Sequence, residues 1–136
     1  MSIGDSATAL GKVQGLGASG HGGGHWLEER FTSVVLVLLS LWLIFSLVML
    51  PSIDLATLTE WLGSAWGAVP MALFVIFAFK HGVDGLKVAV DDYVHDEGNR
   101  VATHYILSML AIAGAATCLF AQIGRASCRE RVLQVV

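Results

Sequence analysis

The twenty residues of Phe31–Leu50 include no charged side chain. A helix of that length spans about 30 Å, which is the thickness of the hydrocarbon core of a bilayer. Two further apolar blocks follow: Trp66–Val90, which charged residues interrupt, and Tyr105–Gln122, which is uncharged. Only 14% of the chain is charged, whereas a soluble domain has about a quarter. The sequence therefore predicts an all-α membrane protein with three transmembrane helices.

The apolar blocks divide the chain into three parts. Residues 1–30 form a glycine-rich N-terminal segment, and residues 31–122 form a three-helix membrane domain. We predict its helices at about 31–50, 66–90 and 102–122. The first helix is too long for a signal peptide, and no cleavage pattern of small residues follows it. We therefore expect it to remain in the mature protein.

The tail, residues 123–136, differs in character from the rest of the chain. It contains Arg125, Arg129 and Arg131, three of the eight basic residues. Its stretch Ile123–Val132, "IGRASCRERV", resembles the translation of a common sequencing adapter. We interpret the tail as a non-native addition and leave it out of the fold prediction. An ordinary basic tail is the alternative.

The basic residues predict an orientation. Lys12 and Arg30 precede the first helix, and Lys87 and Arg100 flank the second connection. The first loop, Pro51–Ala65, has no basic residue. Because basic residues favour the cytoplasmic side, the N-terminus and second connection are expected there, and the C-terminus is expected on the periplasmic side.

The second helix carries charge where lipid would be expected. Lys80, Asp84, Lys87 and Asp91 are separated by four, three and four residues, so they form one stripe of alternating sign. Ion pairs along the stripe offset part of the cost of removing these charges from water. Such a face should meet protein or a polar cofactor. The sequence leaves open a cofactor edge, a partner subunit or pairing within the chain.

His81 lies in the same helix, eleven residues before Asp92, or about 16 Å along the axis. If Asp92 and Tyr93 mark the membrane surface, His81 lies near the middle of the bilayer. It is a candidate proton carrier, packing residue or metal ligand. Gly82 and Gly85 would let a flat ligand or a neighbouring helix come close. Tyr93 and Asp92 are either an interfacial aromatic with a solvated helix end, or part of a polar ligand pocket.

The spacing of His81, Gly85 and the sequence Asp92-Tyr93-Val94 closely resembles the second helix of a known family. This family is the hydrophobic membrane anchor subunit of succinate dehydrogenase. Two other stretches are similar to its alphaproteobacterial members: "ERFTSVVLVLLSLW" (Glu29–Trp42) and "DDYVHDEGNRVA" (Asp91–Ala102). The resemblance covers nearly the whole chain up to Gln122.

The resemblance implies membership of complex II in a bacterial inner membrane. Its partners would be a flavoprotein subunit, an iron–sulfur subunit and a second membrane anchor, the cytochrome b subunit. Such complexes oxidise succinate and pass the electrons to ubiquinone, linking the tricarboxylic acid cycle to the respiratory chain. This chain would be a non-catalytic subunit in the lipid bilayer, and no nucleic-acid partner is expected.

The resemblance also implies roles for four residues. His81 would be one axial ligand to the iron of haem b, and the second anchor would supply the other histidine. Tyr93 would donate a hydrogen bond to a quinone carbonyl, and Asp92 would help to shape that quinone site. Arg30 would face the quinone or a haem propionate.

Other functions remain open. The nearest is the anchor of a fumarate reductase or a related quinone oxidoreductase. A small proton- or ion-conducting membrane protein and a purely structural assembly protein are two more. His21 and His25, in "HGGGH", fit a mobile tail better than a metal site, and His95 and His104 are expected at the interface or in a loop.

Overall fold

The computed structural model describes Thr8 and residues 22–133, with side chains described as far as Gly124. Within these residues the chain forms four helices and no strand. They are α1 (Gly22–Val48), α2 (Leu55–Gly63), α3 (Ala65–Tyr93) and α4 (Glu97–Leu133). The segments Gly23–Val48, Ala65–Tyr93 and Glu97–Gly124 are each long and apolar enough to cross a membrane. The predicted fold class, an all-α membrane protein with three spans, is confirmed.

α3 is the central helix. It packs against α1, α2 and α4, while no close backbone contact joins α1 to α4 in the described part of the chain. Because the long helices lie side by side around α3, they enclose very little. Val83 is the one buried hydrophobic residue of the described core. The outer apolar faces are left for lipid or for another membrane subunit.

The long helices start earlier than hydropathy predicts. α1 begins at Gly22, so Gly22–His25 are helical. The expectation of a mobile tail is therefore wrong for these residues, and His21 lies outside the described residues. α4 begins at Glu97, where Asp96 accepts a hydrogen bond from the backbone N–H of Asn99 at 2.8 Å. Hydropathy marks the part of a helix in lipid, but a nucleated helix continues at little cost into polar sequence.

The C-terminal helix also runs further than predicted. The backbone of α4 is helical through Leu133, eleven residues beyond the predicted end at Gln122. The side chains after Gly124 lie outside the described part. The hypothesis of a non-native tail stays a prediction.

α2 is a short helix that the sequence analysis missed. Asp54 caps its N-terminus by accepting the backbone N–H of Thr57 at 2.8 Å, and the Ser52 hydroxyl donates to the same carboxylate at 2.6 Å. The Ser52 hydroxyl, followed by the Thr57 amide, holds the pKa of Asp54 below its usual value. An aspartate before an apolar run is a start signal for a helix. The indole of Trp61 in α2 stacks on Trp42 of α1, with ring centroids 5.7 Å apart.

Gly67 allows the close turn between α2 and α3. It is buried, and its N–H donates to the Ser64 hydroxyl at 3.1 Å. A Cβ at this position would lie 2.8 Å from the carbonyl carbon of Trp61. Because backbone atoms cannot move aside like a side chain, only glycine fits here.

We predict that Gly67→Ala pushes α2 away from α3 and destabilises the protein by about 1–3 kcal/mol. Thermal unfolding in detergent measures the effect. Gly24→Ala is the matched control, because a Cβ at Gly24 meets nothing within 4 Å. Equal unfolding temperatures for the two variants would contradict this account of the turn.

Candidate functional site

Three contacts join α1 to α3 near the N-terminal end of the bundle, the end that holds the start of α1 and residues 94–96. Thr32 Oγ1 lies 3.0 Å from His81 Nδ1. One turn earlier, Glu28 forms an ion pair of 2.8 Å with Lys80. Phe31 meets Phe77 edge-to-face, with ring centroids 6.3 Å apart. Polar side chains of α1 therefore bind the two polar residues that first interrupt the apolar part of α3.

These contacts fix the level of His81 against α1. Thr32 is the second residue of the uncharged run Phe31–Leu50, so His81 lies level with the beginning of that run. The contact with α4 gives a different depth. Gly114 packs on Phe79, two residues before His81, and uncharged residues of α4 extend in both directions from Gly114, so judged from α4 this level lies deeper in the membrane. The expected depth of His81 near the bilayer centre stays a prediction.

Three of the four residues in the charged stripe of α3 are paired within the chain. Besides Glu28, Lys80 binds Asp84, which is only 15% exposed. Asp91 lies 3.1 Å from His104 Nε2 and 3.8 Å from Arg100, both in α4. The His104 and Asp91 atoms are close but not aligned as a hydrogen bond. Of the three alternatives that the sequence left open for the stripe, pairing within the chain accounts for these residues.

A polar cleft continues from the stripe at the N-terminal end. Its volume is about 540 Å³, and its lining includes His25 of α1, Lys87 of α3 and His104 of α4. Lys87 forms no ion pair with a described residue. The cleft thus gathers ionisable side chains from all three long helices on the side of α3 where the stripe lies.

His81 belongs to a different side of α3. At about 100° per residue, Gly85 lies about 40° round α3 from His81 and Gly82 about 100° from it, both away from the charged stripe. A Cβ at either glycine would meet nothing within 4 Å. Gly82 also borders an apolar groove of about 440 Å³ between α3 and α4, whose far wall includes Leu107 and Leu110. His81 Nε2 has no hydrogen-bond partner among the described residues. This face has room for a ligand or another helix.

The residues predicted to contact quinone lie at the end of α3. Tyr93 is 82% exposed and Asp92 is exposed, and neither is paired with a described residue. Helical spacing puts Asp92 on the same side of α3 as His81, about 16 Å further along. The chain therefore lines up His81 and Asp92 along one side of α3, with Tyr93 about 120° further round the helix, and it does not enclose them.

Arg30 is placed apart from the other predicted site residues. Its guanidinium lies 5.5 Å from the ring centroid of Trp26 on the same helix. Arg30 and Thr32 are two residues apart and so point to nearly opposite sides of α1. Arg30 does not meet His81 or Tyr93 within the described part of the chain.

Sequence reasoning missed Thr32 and Glu28. They are four residues apart on α1 and so share the face that meets α3. Polar residues at this spacing beside an apolar run are a weak signal of a helix interface. Their partners, His81 and Lys80, could not be found without the register of the two helices.

The family described as succinate dehydrogenase/fumarate reductase transmembrane subunit matches residues 5–121. The chain belongs to this family. The match includes the first two spanning segments and the third as far as residue 121.

Relatives of this transmembrane subunit carry one name, succinate dehydrogenase hydrophobic membrane anchor subunit. The protein from Rickettsia bellii is 29% identical over 90 residues, covering 66% of this chain and 72% of the relative. The Rickettsia felis protein is 26% identical over 114 residues, covering 84% and 95%. The Rickettsia typhi protein is 30% identical over 84 residues, covering 62% and 67%. No solved structure matches significantly. The resemblance found in the sequence is confirmed, and the transmembrane subunit is a multi-pass membrane protein.

The pairing of Lys80 with Asp84 yields a prediction. Lys80→Met leaves the largely covered Asp84 without its cation, and Asp84→Asn leaves Lys80 with Glu28 alone. Each variant of the transmembrane subunit should unfold at a lower temperature. The double variant should lose less than the sum, with a coupling energy of about 1 kcal/mol.

Lys87→Met is the matched control for Lys80→Met. It removes the same charge from the same stripe, where no ion pair is broken, and should change stability by no more than about 0.5 kcal/mol. Additive losses for Lys80→Met and Asp84→Asn would contradict the pairing.

Proposed function

We propose that this chain is the membrane anchor subunit of a succinate dehydrogenase, that it binds haem b through His81, and that it contributes Tyr93 and Asp92 to a ubiquinone site. The observation that carries the proposal is His81 itself. One ring nitrogen, Nδ1, contacts Thr32 of α1. The other, Nε2, has no hydrogen-bond partner among the described residues, and there is open space beside Gly82 and Gly85 of the same helix.

The residues around His81 fit a haem. An axial ligand must present an unpaired imidazole nitrogen to a flat macrocycle, and His81 Nε2 is unpaired among the described residues. Side chains at Gly82 and Gly85 would cover this side of the helix, and their absence leaves space beside the ring.

Haem b, when bound, supplies a one-electron redox centre in the membrane. His81 would hold the iron from this chain, and a histidine of the second anchor would complete the pair. Arg30 lies two residues from Thr32 and hence about 3 Å along the axis from the level of His81. Tyr93 is twelve residues beyond His81, or about 18 Å. Arg30 is therefore nearer in level to a haem at His81 than to a quinone at Tyr93, although it points to the opposite side of α1 from Thr32.

The quinone site would be completed by other subunits. Tyr93 and Asp92 are exposed at the end of α3, where this chain alone provides no pocket. The Tyr93 hydroxyl would donate a hydrogen bond to a quinone carbonyl, and Asp92 would help to shape the pocket. Both residues sit at the N-terminal end of the bundle, so the iron–sulfur subunit would dock at this end.

The proposal includes an orientation and a set of partners. Lys12, Arg30 and Arg100 favour a cytoplasmic location for the N-terminal end, which leaves the end of the third span on the periplasmic side of the bacterial inner membrane. The partners would be the second anchor, the iron–sulfur subunit and the flavoprotein subunit. The chain would have no catalytic residues for succinate oxidation.

The ion-conducting alternative is disfavoured by the position of the charges. Lys80, Asp84 and Asp91 are paired toward one end of α3. The rest of that span, Ala65–Phe79, has no ionisable side chain, and neither does Phe31–Leu50 of α1. A relay along these helices would therefore end partway across the membrane.

The first test is an optical spectrum of the complete complex, co-expressed with the second anchor subunit. We expect a low-spin b-type haem, because two histidines bind the iron, and His81→Ala should alter that spectrum while leaving the subunits assembled. A folded complex without haem, or with a spectrum indifferent to His81→Ala, would contradict the assignment of His81.

The quinone site is tested by Tyr93→Phe, which removes one hydroxyl and keeps the ring. Loss of one hydrogen bond of about 1.4 kcal/mol corresponds to a tenfold drop in ubiquinone reduction. Succinate oxidation with an artificial electron acceptor serves as the control and should stay near normal. An equal fall in both activities would indicate failed assembly and would count against Tyr93 as a quinone contact.

A further inference from the structure

The contact between Thr32 and His81 joins two helices through a buried hydroxyl and a partly buried imidazole. Thr32 is only 4% exposed. Its hydroxyl oxygen lies 3.0 Å from His81 Nδ1 and 3.0 Å from the backbone carbonyl oxygen of Glu29, three residues earlier on α1. The hydroxyl therefore has two neighbours, one of which can only accept a hydrogen bond.

The number of hydrogens available decides which of these atoms donates a hydrogen bond and which accepts one. A threonine hydroxyl has one hydrogen to donate and lone pairs with which to accept. The Glu29 carbonyl takes that hydrogen, as threonine in a helix commonly bonds to the preceding turn. The Thr32 oxygen then has only lone pairs left for His81, so Nδ1 must carry the hydrogen.

The opposite arrangement, in which Thr32 donates to His81, forms one hydrogen bond fewer. If Thr32 donated to His81 Nδ1, the Thr32 and Glu29 oxygens would lie 3.0 Å apart with no hydrogen between them. The Glu29 carbonyl also receives the Ser33 hydroxyl, at 2.7 Å, and the helical N–H of Ser33, so three donors share this oxygen. The arrangement in which His81 donates leaves no contact unsatisfied.

A neutral histidine with its hydrogen on Nδ1 has a lone pair on Nε2. We propose that Thr32 is the positioning residue for His81: it selects the Nδ1–H form of the imidazole and thereby makes Nε2 the atom that binds iron. This inference rests on the proposed function. Residues that hold the far nitrogen of a metal-binding histidine fix its orientation and raise its basicity.

Two neighbouring contacts keep Thr32 in register with His81. Glu28 is one turn before Thr32 and pairs with Lys80, the residue next to His81. Phe31 packs against Phe77, one turn before His81 on α3. α1 is thereby prevented from rotating or sliding along α3, so the hydroxyl stays where the imidazole needs it.

The test uses the complete complex with Thr32→Val, which has nearly the same shape but no hydroxyl. The measurements are the midpoint potential of the haem and the amount of haem retained on purification. We expect the potential to rise, because a less basic imidazole stabilises ferric iron less well. Haem affinity should fall by about tenfold.

Two variants serve as controls. Thr32→Ser keeps the hydroxyl, so its haem should have the wild-type midpoint potential. Ser33→Ala removes the neighbouring hydroxyl, which shares the Glu29 carbonyl but does not contact His81, and should leave the potential unchanged. If Thr32→Val does not assemble, Thr32→Ala removes the same hydroxyl with a smaller side chain and is judged by the same potential.

The outcomes separate this inference from the proposed function. A wild-type haem that responds to His81→Ala but keeps its potential and occupancy in Thr32→Val would overturn the role of Thr32 alone. A haem that does not respond to His81→Ala would overturn the proposed function itself. A raised potential in Thr32→Val and Ser33→Ala alike would also contradict the inference, since it would indicate a general disturbance of α1.

Discussion

An ionisable side chain inside an apolar bundle needs a partner, because an isolated charge at the centre of a bilayer costs about 2.5–3.5 kcal/mol on the mildest scales. The packing of α3 follows from this constraint. Lys80 binds Glu28 of α1, and Asp91 lies against His104 of α4. Both pairs start from the charged stripe of α3, and they attach the two outer spans to it in a defined register. A bundle with so little buried hydrophobic core depends on such polar contacts to specify which faces meet.

The same contacts divide α3 into two functional sides. Three members of the charged stripe, Lys80, Asp84 and Asp91, are paired within the chain. His81, Gly82 and Gly85 are left on the other side, with open space beside the glycines. Lys80, Asp84 and Asp91 therefore already have partners within the chain, and none of these partners is His81. This separation is the physical basis for proposing a haem between this chain and a second anchor.

The sequence predicts features that arise within one segment of the chain, and it does not predict contacts that depend on how two helices are aligned. The three spans follow from composition within single segments, and the His81-to-Tyr93 spacing follows from one helix. The start of α1 at Gly22 could not be predicted from hydropathy, which does not report helix that continues outside lipid. The pairing of Thr32 with His81 joins residues forty-nine positions apart, so it required the register between two helices. α2 was missed although Asp54 before an apolar run was a usable signal.

The most direct test of the central claim is an experimental structure of the complete complex, determined with its cofactors bound. Iron should be bound by Nε2 of His81, with the Thr32 hydroxyl remaining about 3 Å from Nδ1 and the haem lying against Gly82 and Gly85. A haem held by other residues, or a His81 ring with Nδ1 on the iron and Thr32 turned away, would contradict the account.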